Sequence, residues 1–124
     1  MTSPLEEEMT APKDPTTGAD GRDSRLKDTL RRLIAAYEPE RIYLFGSQAR
    51  GDAGPHSDID LLVVVPDDAP PARRRSRLAY EALGGTGIAA DVLVCTRSYF
   101  EARRHLKASL PGTVLREGWL LHHA

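Results

Sequence analysis

Two aspartates, Asp58 and Asp60, stand at the mouth of a run in which every residue from Ile59 to Val65 except Asp60 is aliphatic. Such a run reads as a strand buried on both faces. Side chains alternate along a strand, so both carboxylates point to one face, with Cα atoms about 6.6 Å apart. Carboxylates that close repel, and burial disfavours each charge further. A divalent cation relieves both effects. Mg²⁺ prefers oxygen ligands and is usually held by one or two carboxylates together with substrate phosphates. Upstream, the β-forming run Ile42-Tyr-Leu-Phe45 stops at Gly46-Ser47, and ten residues separate Ser47 from Asp58. Glycine lets backbone approach a phosphate closely, and N–H groups exposed at a following helix start attract anions. Acids for a metal and N–H groups for phosphate, joined by one loop, describe a site for a nucleoside triphosphate.

The elements that must position these residues are legible on either side. Leu26, Leu30, Leu33, Ile34 and Tyr37 recur at helical spacing, so a helix is expected over 24–37, capped by Asp23 or Ser24 and ended by Pro39. Its basic face reads as solvated rather than as a nucleic-acid surface. Ser47 to Arg50 should form a short helix whose N-terminus faces the phosphates. Ser47 can donate its hydroxyl as well as its N–H, and the Arg50 guanidinium fits oxyanions. The other reading of Arg50 is a surface residue paired with Asp52. Residues 51–57 form a loop in which His56 reads as solvent-exposed. A second helix is expected over 72–83, closed by Gly84-Gly85. Arg73, Arg74, Arg75 and Arg77 crowd its start, against the helix dipole, and read as a solvated face before an acidic or RNA contact.

A third strand is expected over 88–96, with Asp91, Leu93 and Cys95 on one face and Ala90, Val92 and Val94 on the other. Asp91 is an acid in an otherwise apolar strand, read either as part of the site or as an edge-strand aspartate facing water. Ser98-Tyr-Phe-Glu101 has the form of a capping box, and Tyr99, Ala102, Leu106 and Leu110 give the buried line of the helix after it. Leu110-Pro111-Gly112 should break that helix, leaving a short turn over 113–117 before Gly118. Residues 119–121 can form a terminal edge strand, with Trp119 in the core or at a partner. His122 and His123 lack a third ligand nearby in sequence. Strands interleaved with helices make this an α/β protein.

The 124 residues suffice for one domain and one core. Residues 1–23, acidic and poor in apolar side chains, read as a disordered tail ahead of a domain over 24–124. Six acids and two bases put −4 on the tail and, against −1 overall, +3 on the rest. That charge suits a phosphate-rich substrate but is too weak to argue direct nucleic-acid binding. One cysteine, Cys95, excludes a disulfide framework and a cysteine-based zinc site. No apolar run is long enough to span a membrane and the N-terminus has no signal-peptide pattern, so a cytoplasmic location is expected.

Gly46-Ser47, ten residues, then Asp58-Ile59-Asp60 matches the signature of the DNA polymerase β-like nucleotidyltransferase superfamily. The fuller run Phe45-Gly-Ser-Gln-Ala-Arg-Gly-Asp52 with Ser57-Asp-Ile-Asp-Leu-Leu-Val63 resembles the minimal nucleotidyltransferases of prokaryotes, and the likeness extends over most of the chain, from Leu26 to Leu121. The resemblance implies a small mixed β-sheet flanked by helices, with Asp91 as a third carboxylate facing the same cleft. It implies transfer of a nucleoside monophosphate, AMP from ATP or another nucleotide, to a hydroxyl with release of pyrophosphate. Asp58, Asp60 and Asp91 would hold two Mg²⁺ ions, Asp91 also serving as base, while Gly46, Ser47 and Arg50 would hold the nucleotide. The chain has no room for a separate acceptor-binding domain. Transferases of this kind commonly pair with a helical toxin of the HEPN class and act as antitoxins by adding AMP to one of its tyrosines. The alternatives are transfer to a small hydroxylated molecule such as an aminoglycoside, and a non-catalytic antitoxin that neutralises by binding. Three clustered acids argue against the last.

Overall fold

A computed structural model of the chain describes residues 20–51 and 58–124, with only the backbone described for 20–23. Residues 1–19 of the tail expected over 1–23, and the loop residues 52–57, His56 among them, lie outside the described residues, while residues 20–23 of that expected tail are helical. The first helix, α1, runs Asp20–Tyr37. It therefore starts before the expected cap, and Asp23 and Ser24 lie inside it. Leu26, Leu33 and Tyr37 are buried along its inner line. Asp28 pairs outward with Arg31 and Arg32, which keeps this part of the basic face solvated and internally satisfied. The helix ends as Pro39 requires, with Glu38 turned out of the α region at φ 47°.

Strands β1 (Arg41–Phe45), β2 (Ile59–Val65), β3 (Ala90–Thr96) and β4 (Trp119–His123) form one sheet in the order β3-β2-β1-β4. β2 is parallel to β3, and β1 is antiparallel to both β2 and β4, so the sheet is mixed. β2 is internal, and every residue but Asp60 is buried. That is why the strand is aliphatic on both faces. On one face Ile42, Leu44, Leu61, Val63, Val65 and Val92 join Leu33 and Tyr37 of α1 in the main core. Helix α3 (Arg77–Leu83) closes that core with Ala79. On the other face Tyr43, Leu62 and Val64 meet Phe100 of α4 (Arg97–Arg103) and Val114 of α5 (Leu110–Glu117). The Tyr43 and Phe100 rings stack with centroids 5.4 Å apart. Burying side chains of this size stabilises by about 1.5–3 kcal/mol each.

Several boundaries differ from expectation for identifiable reasons. The helix expected over 72–83 is a 3₁₀ turn, Pro71–Arg74, followed by α3, with a break at Arg75-Ser76. The break follows a tertiary contact: the Tyr37 hydroxyl donates to the Arg75 carbonyl and accepts from the Ala79 N–H. The N-cap of α4 is Thr96, whose hydroxyl accepts from the Tyr99 N–H, and not Ser98. Ser98 instead gives its N–H and hydroxyl to the Asp67 carboxylate. α4 stops at Arg103, which leaves Tyr99 and Leu106 exposed and makes Phe100 the buried residue. Leu110-Pro111-Gly112 opens α5 rather than breaking a helix. Ser109 caps it by accepting from the Gly112 N–H, and Pro111 sits in the first turn, where its missing N–H costs nothing.

Candidate active site

The site is built where three elements meet at one end of the sheet. β1 runs into α2 (Gly46–Arg50), a five-residue helix whose first residue takes φ +74°. A side chain at that position would be strained by its backbone alone, and it would have no space. A Cβ on Gly46 would overlap the Asp60 Oδ2 and stand 3.1 Å from its Cγ. The glycine is thus required twice, for a left-handed turn and for contact with a carboxylate on the neighbouring strand. Trp119 fixes the other side of the helix, donating its indole N–H to the Ala49 carbonyl at 3.1 Å. It packs against the main core, in keeping with a core rather than a substrate role.

Register then lines up the acids. Phe45, the last residue of β1, pairs with Asp60, and Asp60 pairs with Asp91 on the parallel strand β3. Asp58 lies just before β2 and is exposed. Asp60 is half-buried, and its carboxyl is held above the usual range. Burial is the largest cause, the Asp91 and then the Asp58 charges add to it, and Arg50 opposes it. Asp91 is exposed and β3 is an edge strand, so part of the water-facing reading of Asp91 is correct. Its register partner is nevertheless Asp60. Among the described residues no three acids stand in a ready ligating arrangement.

Ser47 is the second residue of α2 and half-buried. Its carbonyl accepts from the Gly51 N–H at 3.0 Å, which closes the turn with Gly51 at φ 82°. Arg50 is exposed, its Nη1 3.9 Å from Glu117 Oε1, and its charge acts on Asp60. The alternative partner, Asp52, lies outside the described residues, as does His56. The arginine cluster is largely occupied within the fold: Arg73 pairs with Glu38, Arg74 donates to the Ala69 carbonyl, and Arg77 pairs with Glu81. That occupation favours the solvated-face reading.

Two hollows flank the acids. A groove of about 520 Å³ lies beyond them along β3, between Leu62, Leu93, Cys95, Tyr99 and Leu110. It contains none of the acids. A shallower depression of about 340 Å³ has Asp58 and Asp91 in its wall together with Tyr80, Leu83 and Ile88. Nothing local in the sequence marks Tyr80 or Ile88 as neighbours of the acids, because α3 and the turn after it reach the site only through the fold.

Comparison with known proteins agrees with this geometry. Residues 24–115 match the family model described as the nucleotidyltransferase domain. No curated protein matches the chain. Among solved structures, one described as a toxin-antitoxin with AMP-PNP is similar in fold at 24% identity and a TM-score of 0.53, over 79% of this chain and 73% of that one. A protein from Sulfolobus solfataricus assigned as a nucleotidyltransferase aligns at 23% identity and a TM-score of 0.46, over 81% of this chain and 87% of that one. No helix among the described residues is long and apolar enough to cross a membrane.

Proposed function

This chain belongs to the nucleotidyltransferase domain family, and on that premise we propose that it moves AMP from ATP to a tyrosine hydroxyl of a HEPN-type toxin partner, acting as its antitoxin. The observation that carries the reading is the contact between the Gly46 backbone and the Asp60 carboxylate. It brings the start of α2, which suits phosphate, against a carboxylate that suits a metal bound to the same phosphates. The fold likeness to a protein solved as a toxin-antitoxin with AMP-PNP supports the choice of nucleotide and partner.

The donor set fits Mg²⁺. Asp58, Asp60 and Asp91 offer hard oxygen ligands, and the repulsion that raises the Asp60 carboxyl is what a divalent cation would relieve. When bound, Mg²⁺, as two ions, supplies charge neutralisation at the phosphoryl oxygens. The chain's own residues do the rest. The Gly46 and Ser47 N–H groups, with the Ser47 hydroxyl, hold the β- and γ-phosphates, and Arg50 adds positive charge at that side. Strand order sets the direction of transfer. α2 follows β1 on one side of Asp60 and Asp91 stands on β3 at the other, with neighbouring strands about 4.8 Å apart. A leaving pyrophosphate on the α2 side and an acceptor oxygen on the Asp91 side would stand on opposite sides of the α-phosphorus, as an in-line displacement requires. The acceptor oxygen forms its bond to that phosphorus as the bond to the bridging oxygen breaks. The hydroxyl proton passes to the Asp91 carboxylate.

The test is to mix the chain with Mg²⁺, ATP and a helical toxin of the HEPN class, and to weigh that partner intact. Addition of AMP to the partner, lost in Asp60→Asn, is expected. An unlabelled partner together with a labelled aminoglycoside would overturn the reading.

A further inference from the structure

The two edges of the sheet are finished differently. β4 is five residues long, and a bulge interrupts its pairing with β1. β3 is seven residues long and pairs with β2 without interruption. It holds no lysine or proline, and its one charge is Asp91, near its start. Short length, charge, proline and bulges are what keep an edge from pairing with another chain. The hydrogen-bond pattern shows what β3 offers. The Ile59 N–H donates to the Ala89 carbonyl at 3.1 Å, so Asp91, Leu93 and Cys95, in phase with Ala89, also turn their backbone groups toward β2. Ala90, Val92 and Val94 turn theirs outward, where among the described residues no other strand pairs with them.

Space and charge single out what this edge fits. The groove of about 520 Å³ wraps round it, since the wall takes Val94 from one face of β3 and Leu93 and Cys95 from the other. Tyr99 stands on one side of the groove and Ser76 on the other. Leu93 and Tyr99 are 39% and 47% exposed, among the few large apolar side chains left to solvent. No charged side chain lines the groove, and the charges lie at the two ends of the strand. Asp58 and Asp91 mark its start. At its far end Arg97 opens α4, and the Arg103 guanidinium lies 3.9 Å over the Tyr99 ring with no carboxylate partner among the described residues. The edge is thus negative at one end and positive at the other. An antiparallel strand of the same kind brings opposite charges together at both ends, and a parallel one would set like charges side by side.

We propose that the β3 edge pairs with the β3 edge of a second copy of this chain, antiparallel about a twofold axis. Full overlap of the seven residues puts Leu93 opposite Leu93 of the second copy, Val92 opposite its Val94 and Asp91 opposite its Cys95. Residues whose backbone groups point outward then face one another, as an antiparallel ladder requires. Opposed side chains share a face, so the two Leu93 side chains meet over the groove on the face that carries Asp91, and Val92 meets Val94 on the other face. The Arg97 to Arg103 end of each copy comes to the Asp58 and Asp91 end of the other. The two four-stranded sheets become one, and both acid clefts open on the same side of it. The contact needs neither nucleotide nor acceptor.

Sedimentation equilibrium of the full chain alone, over rising concentration, should pass from the mass of one chain to the mass of two. Leu93→Lys sets like charges on the axis and should raise the dimer dissociation constant at least about a hundredfold while keeping the parent's circular dichroism. A cross-link reads the register directly. In a Cys95→Ala background, Leu93→Cys puts two thiols on the axis with Cα atoms about 4.5 Å apart, inside the range of about 4.4–6.8 Å that a disulfide bridges. Oxidised glutathione should join that variant into a covalent dimer. It should leave Leu115→Cys in the same background uncoupled, because Leu115 is as exposed, at 38%, but lies on α5 outside the groove. A parent that sediments as one chain at every concentration, a dimer that Leu93→Lys leaves equally tight, no covalent dimer from Leu93→Cys, or equal cross-linking from the two cysteine variants would overturn the proposal.

Discussion

Gly46→Ala is the sharpest single test of how the site is built, and Gly51→Ala is its built-in control. Both glycines have positive φ, +74° and +82°, so alanine at either pays the left-handed penalty of roughly 1–2 kcal/mol. They differ in what the new methyl would meet. At Gly51 no described residue lies within 4 Å, whereas at Gly46 the methyl overlaps Asp60 Oδ2 and comes within 3.3 Å of its Cβ. The carboxylate must rotate away, at a further cost of about 0.5–1.5 kcal/mol if it leaves its preferred rotamer. The expected totals are about 1–2 kcal/mol for Gly51→Ala and about 1.5–3.5 kcal/mol for Gly46→Ala, read as urea midpoints or as melting shifts of about 4 °C per kcal/mol. Activity should separate them further. Moving Asp60 by about 1 Å should cost about a hundredfold in transfer rate, and Gly51→Ala should stay near the parent. In an Asp60→Ala background the carboxylate overlap is gone and only the 3.3 Å contact with Cβ remains, so the cost of Gly46→Ala should fall toward that of Gly51→Ala, a coupling of about 0.5–1.5 kcal/mol. Equal costs for the two glycines in the parent, or full activity in Gly46→Ala, would refute the contact as the organising feature of the site.

Three further outcomes are expected. Asp60→Asn removes a charge that Asp91 and Asp58 repel, so without metal it should melt at or slightly above the parent, yet gain much less from Mg²⁺ with ATP; strong destabilisation with an undiminished ligand shift would make Asp60 structural. The Asp67 carboxyl is held below its ordinary range by the Ser98 hydroxyl and N–H, so its stabilising contribution is complete above the free-aspartate value of about 3.9 and is lost as pH falls through the lower folded value. Ser98→Ala should therefore be less stable than the parent near neutrality, with the gap closing in acid, and parallel stability profiles from pH 6 to pH 2 would count against the contact. Burial pushes the Cys95 thiol up to about 11, so alkylation by iodoacetamide at pH 8 should be slow in the native protein and should accelerate on adding denaturant; rapid labelling of the folded chain would contradict that burial.

What the sequence by itself determined is whatever obeys local rules. A short β-branched run that is aliphatic on both faces reads as an internal strand, and in a strand two acids separated by one residue share a face. Gly46 at the end of a β-forming run announced a turn that only glycine makes easily, and Asp91 stood out as the lone acid in its strand. The helix expected after Ser98 shows the limit of such rules. Thr96 and Ser98 are both good caps, and the choice fell to Thr96 while Asp67, far back in the chain, engaged Ser98. Leu110-Pro111-Gly112 could stop a helix or start one, and Ser109 decided for a start. The Arg73 to Arg77 cluster could have been a binding surface until Glu38, Ala69 and Glu81 came beside it. Strand direction, the register that sets Asp60 against Asp91, and the approach of Gly46 to the Asp60 carboxylate were decided only by tertiary structure. Hydrophobic periodicity tells each strand which face to bury, but it carries no information about which distant strand will lie beside it, or at what offset. That offset is chosen when the two sides of the sheet pack against α1 and α3 and against α4 and α5, and the same packing brings Tyr80 and Ile88 up to the acids.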